Sequence, residues 1–114
     1  MTYCVGLKLQ AGLVLLSDTR TNAGVDQISV FRKLNVFERP GERVVVLMTS
    51  GNLAISQAVL NVLAAHDETD AGSVWAAPTM YDVARLVGEA IRQVHRQDGA
   101  ALLEQGIDFN VFQF

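Results

Sequence analysis

The second residue of this 114-residue chain is a threonine, and it opens the run MTYCVGLKLQAGLVLLSDTR. A threonine hydroxyl is a weak nucleophile until something takes its proton. Once Met1 is removed, the base can be the α-amine of Thr2 itself. Its ordinary pKa of about 8 suits general base work near neutral pH. A lysine cation beside it would lower the pKa of amine and hydroxyl alike, and an aspartate would keep that lysine charged and in place. Asp18 and Lys33 are of the right types. Attack by the hydroxyl also creates an oxyanion, which needs a donor. Gly51, in the stretch Thr49-Ser50-Gly51-Asn52, offers a main-chain N–H with no Cβ beside it. Each residue has a plainer reading: Asp18 as a turn residue, Lys33 as a solvated strand residue, Gly51 as a turn glycine. Only their convergence would make a site.

The elements between these residues must bring them together. Residues 3–9 and 13–16 are β-rich runs around Gln10-Ala11-Gly12, which predicts a hairpin. Folded about Ala11-Gly12, it sets Thr2 beside Arg20 or Thr21. Asp18 is then one diagonal step away, roughly 7–8 Å between Cα atoms. Residues 19–27 have loop chemistry. Residues 28–37 are strand-like, but Arg32-Lys33 interrupts them, and Lys33 sits among Val30, Phe31 and Leu34 as if to point inward. Residues 38–42 form a Pro-Gly turn. Residues 43–49 make the strongest strand, apolar on both faces, as expected of a central strand covered on both sides.

After Asn52 the period changes. Leu53, Ser56, Leu60 and Leu63 mark one face of a helix reaching about His66, with Asn52 as N-cap. Residues 67–78 read as a polar loop. Thr79 and Asp82 are spaced as a capping box, and Val83, Leu86, Val87, Ala90, Ile91 and Val94 line the apolar face of a second helix. Gly99 and Gly106 bracket a short turn, and residues 109–114 read as a strand. The element order predicts an α+β layer arrangement.

Half of the residues are apolar and 18% are charged, which suits a packed core and argues against disorder. The net charge of −3, with no basic stripe, argues against a nucleic-acid surface. No apolar run approaches the ~20 residues of a membrane helix. The N-terminus lacks the basic and apolar regions of a signal peptide, and Cys4 stands alone. Together these point to a reducing, cytoplasmic setting. Cys4 reads as a buried strand residue rather than a nucleophile. His66 and His95 have no partners at ligand spacing and read as surface or helix-end residues, so no metal and no cofactor is expected. Arg85, Glu89, Arg92 and Arg96 read as a solvated helix face.

The segments TYCVGLKL, SDTRTNAGVDQIS, FRKLNVFERPGERV and SGNLA together resemble the proteasome β-subunit family of amino-terminal-nucleophile hydrolases. Within that family they are most similar to the bacterial Anbu branch, the ancestral β subunits. The resemblance spans most of residues 2–65 and continues loosely through the second helix. It implies an αββα sandwich, of which residues 1–114 are about the N-terminal half of a single domain. It implies peptide-bond hydrolysis by Thr2 after loss of Met1. Asp18 and Lys33 match the charge partners of the nucleophile, and Gly51 matches the oxyanion amide. Arg20 matches an arginine two residues after the aspartate. Thr21 and Asn22 match the segment that binds substrate main chain as an added strand.

The resemblance further implies peptide or unfolded-protein substrates and identical subunits in a ring or spiral, with no nucleic acid and no membrane. Lys33 lies one residue nearer to Thr2 than in many members, as a one-residue loop deletion would produce. Members of the family are about twice as long, so the chain reads as a fragment whose apolar final strand would stay exposed and sticky. Two other readings of the same motif are a non-catalytic ring or scaffold subunit and an amidase acting on a small amide.

Overall fold

Hairpins dominate the first half of the chain because short β-rich runs alternate with short connections. The computed structural model describes residues 2–22, 28–104 and 112–113. Strands β1 (Cys4–Leu9) and β2 (Gly12–Ser17) pair antiparallel from Leu9↔Gly12 to Cys4↔Ser17. The connecting loop is therefore Gln10-Ala11 and not Ala11-Gly12. Gly12 already belongs to β2, at a φ of +147° that favours glycine. This register differs from the one expected: Tyr3, not a later residue, stands opposite Asp18.

Strand β3 (Arg20–Asn22) pairs with β4 (Ile28–Val30). Strand β5 (Leu34–Arg39) pairs with β6 (Arg43–Met48) across the turn at Pro40-Gly41-Glu42. Strand β7 (Ser50–Gly51) pairs with β8 (Phe112–Gln113). Among the described residues these are four separate antiparallel pairs, and two helices, α1 (Leu53–Ala64) and α2 (Met80–Glu104), lie between β7 and β8 in the chain. The fold is thus mixed α and β. β6 is not the doubly covered central strand expected. Among the described residues it pairs only with β5 and packs on one face, so Val45 is 6% exposed while Val44 is 59% exposed. Cys4, expected inside, is exposed as well. Both faces of the first hairpin carry exposed apolar side chains, Leu7 and Leu13 among them.

The core lies between the inner face of β5–β6 and the two helices. Phe37 and Val45 meet Ile55, Val59 and Leu63 of α1 and Val83, Val87, Ala90 and Val94 of α2. Leu53 and Leu60 flank the α1 stripe rather than lead it. The Asn52 side chain caps α1 by accepting from the Ala54 and Ile55 N–H groups at 3.0 and 3.3 Å. Thr79 and Asp82 form the expected capping box on α2: the Asp82 N–H donates to Thr79 Oγ1, and the Thr79 N–H donates to Asp82 Oδ2, each at 3.2 Å.

Two further expectations are corrected. Residues 67–78 are not a purely polar loop: Val74 and Ala77 are buried in the core, and Trp75 meets Phe37 edge-on at 5.2 Å. Arg39 Nη2 donates to the Glu68 carbonyl at 2.6 Å and Arg43 Nη1 donates to that of Ala77, so two sheet arginines hold this segment down. Gly99 does not end α2, which continues to Glu104. Gly106 and residues 109–111 and 114 lie outside the described residues. No helix among the described residues is long and apolar enough to cross a membrane.

Ile55 is 1% exposed and central in this core. Ile55→Ala is expected to cost about 2–5 kcal/mol of stability, through lost transfer energy and the cavity left behind. Urea unfolding of parent and variant checks this.

Candidate active site

Three strand ends meet where β1–β2, β3–β4 and β5–β6 come together. The β1–β2 register runs on one step, so that the Asp18 N–H donates to the Tyr3 carbonyl at 3.0 Å. The β3–β4 register also runs on, with the Phe31 N–H donating to the Thr19 carbonyl at 2.7 Å. The β5–β6 register does the same, with the Thr49 N–H donating to the Lys33 carbonyl at 2.9 Å. These three bonds tie down the main chain at Asp18 and Lys33 and two residues before Gly51.

Lys33 is 6% exposed, so the inward reading holds and the solvated one does not. Burial of an ammonium is costly unless its donors are used. Lys33 Nζ donates to Asp18 Oδ2 at 2.8 Å and to the Arg20 carbonyl at 2.7 Å. An ammonium has three donors, so among the described residues one remains beyond these two. Asp18 Oδ1 accepts from the Tyr3 N–H at 2.8 Å. The Lys33 hydrogen bond, and after it the Tyr3 N–H, lower the Asp18 pKa from its ordinary 3.8 to about 2. Asp18 is therefore an anion throughout the neutral range.

That shift carries a pH dependence. The unfolded chain takes up the Asp18 proton near 3.8, the folded chain only near 2. The stabilisation from ionised Asp18 is thus full above about pH 4 and is lost as pH falls toward 2. In an NMR titration Asp18 is expected to change charge near pH 2, and in Lys33→Met its midpoint should move up toward 3.8.

Thr2, Thr21, Lys33 and Gly51 line one cavity of about 50 Å³, together with Thr49 and Ser56. Asp18 stands behind Lys33. Gly51 lies in β7 with φ +92°, a conformation that glycine adopts without strain. Asn22 follows Thr21 in β3 and pairs with Ile28. Three participants were not singled out from sequence. The Tyr3 amide is a main-chain group and leaves no mark in residue type. Thr49, 3% exposed, is in register with Lys33. Ser56, 2% exposed, donates to the Asn52 carbonyl at 3.0 Å. A polar residue on the apolar stripe of α1 is the signal that could have marked Ser56.

No family model and no curated protein matches the chain. Solved structures do. A Gly-1 mutant of Anbu from Hyphomicrobium sp. strain MC1 superposes with a TM-score of 0.79 at 46% identity, over 88% of this chain and 43% of that one. The helical assembly of the Anbu complex from Pseudomonas aeruginosa gives 0.76 at 47% identity, over 86% of this chain and 40% of that one. Anbu (ancestral beta-subunit) from Yersinia bercovieri gives 0.75 at 42% identity, over 86% and 42%. The chain spans less than half the length of these relatives. Identity above two residues in five along nearly all of its own length, with the same backbone course, means that the chain belongs to the Anbu family of proteasome-like β-subunits.

Proposed function

We propose that this chain carries the nucleophile half of an amino-terminal threonine peptidase. The observation that supports it most is Lys33, buried, held by Asp18 and the Arg20 carbonyl, and lining the same cavity as Thr2 and Gly51. With Met1 removed, the Thr2 α-amine accepts the hydroxyl proton while Thr2 Oγ1 bonds to the scissile carbonyl carbon. The oxyanion accepts from the Gly51 N–H. The amide C–N bond then breaks, and the ammonium of Thr2 returns its proton to the leaving amine. Water, deprotonated by the same amine, attacks the ester and frees Thr2.

Lys33 supplies the positive charge that keeps the amine basic site unprotonated near neutral pH, and Asp18 holds Lys33. Substrate main chain adds along Thr21 and Asn22. The edge of β3 opposite β4 has no partner strand among the described residues, which leaves room for one. The parent fold in this reading is an αββα sandwich. Its substrates are peptides or unfolded proteins, its setting is the cytoplasm, and its partners are identical subunits in a ring or spiral. The helical assembly of the Pseudomonas aeruginosa relative supports the last point.

Cleavage of short fluorogenic peptides by the Met1-free protein tests the proposal. Turnover that disappears in Thr2→Ala is expected. Turnover that survives in Thr2→Ala, or hydrolysis confined to small amides, would overturn it.

A further inference from the structure

Asp18 makes two kinds of contact with Tyr3. Its N–H donates to the Tyr3 carbonyl at 3.0 Å, as in a regular antiparallel pair. The reciprocal bond of such a pair would run from the Tyr3 N–H to the main-chain carbonyl of Asp18. Here the Asp18 carboxylate takes it, through Oδ1 at 2.8 Å. The other oxygen, Oδ2, accepts from Lys33 at 2.8 Å.

Packing does not hold this end of the strand. The Tyr3 side chain is 67% exposed, and Cys4 beside it is also exposed. With little apolar burial at the strand end, the two polar bonds to Asp18 carry much of its positioning. A bond from an N–H to a carboxylate is roughly twice as strong as one between neutral groups. The residue attached to that N–H is Thr2.

We propose that Asp18 is a positioning residue for the chain terminus: Oδ1 anchors the Tyr3 amide, and through it Thr2, while Oδ2 separately holds Lys33. The inference rests on the peptidase reading for its consequence, since it is Thr2 that must stay in the cavity. The anchor itself is a matter of geometry. An aspartate that acted only through Lys33 would become dispensable once Lys33 was gone. An anchoring aspartate would not.

The test uses the 15N-labelled protein freed of Met1, with Asp18→Asn, Asp18→Ala and Lys33→Met. Two quantities are read: hydrogen exchange of the Tyr3 amide by NMR, and the rate at which a peptide epoxyketone modifies Thr2. Asp18→Ala is expected to speed Tyr3 exchange by roughly tenfold or more, the scale of a lost bond to a charged group. Asp18→Asn keeps an acceptor oxygen and should largely preserve protection. Lys33→Met should preserve it as well, although it slows modification of Thr2.

Unchanged Tyr3 exchange in Asp18→Ala would overturn the proposal. So would loss of protection in Lys33→Met, and that arm decides the matter if Asp18→Ala does not fold. Failure of the parent itself to react at Thr2 would sink the peptidase reading instead, and Tyr3 exchange would still judge the anchor.

Discussion

Lys33→Met is expected to slow acylation of Thr2 near neutral pH by roughly 10–10³-fold, the scale of removing a charged neighbour that shifts a pKa by about 1–3 units. Methionine fills a similar volume, so the pocket around the buried side chain stays packed. What disappears is the cation. Asp18 Oδ2 and the Arg20 carbonyl both lose their Lys33 donor. The Thr2 amine loses the positive neighbour that lowers its pKa, so a larger share of it is protonated and cannot act as base. The pH–rate profile should therefore shift to higher pH as well as fall. Lys33→Arg should not restore the rate. A planar guanidinium cannot replace a point charge that bonds Asp18 at 2.8 Å and the Arg20 carbonyl at 2.7 Å. A Lys33→Met protein with the parental rate and profile would contradict the role given to Lys33.

Gly51→Ala is the second large effect. At φ +92° the residue lies where an L side chain is strained, at a cost of about 1–3 kcal/mol. The chain at Ser50–Gly51 can relieve that strain by turning its amide away from the cavity. Loss of one oxyanion donor is worth roughly 10²–10³ in kcat. Because the donor serves the transition state more than the bound substrate, kcat should fall while KM stays close to the parent's. A variant with raised KM and unchanged kcat would assign Gly51 to substrate binding alone.

The helices were the most legible part of the chain. The 83–94 stripe of α2 and the Thr79–Asp82 box depend only on local spacing, and local spacing is what a sequence displays. The register of the first hairpin was less legible. Gln10-Ala11 and Ala11-Gly12 are both plausible two-residue loops, and the choice depends on which residue takes the positive φ. The slip it causes sets Tyr3, one residue after Thr2, against Asp18. Val74 and Ala77 were missed because a short segment has no period to read, and its burial is imposed by Arg39, Arg43 and the helices around it. The exposure of Cys4 and Val44 depends on which faces are covered, which strand composition does not record.

At the site, residue type carried far. Lys33 was legible because a charge among apolar neighbours must either reach solvent or find partners, and it finds Asp18. The Tyr3 amide was not legible, since every residue but proline has one.

The central claim is that one residue, Thr2, provides both nucleophile and base. A peptide epoxyketone tests this directly, because its ketone can take the Thr2 hydroxyl and its epoxide the Thr2 amine, closing one ring. Intact-mass measurement with peptide mapping after incubation is expected to show a single adduct of the full probe mass, on Thr2, in protein lacking Met1. No adduct is expected in Thr2→Ala. An adduct that forms with Met1 still attached, or that persists in Thr2→Ala, would contradict the account.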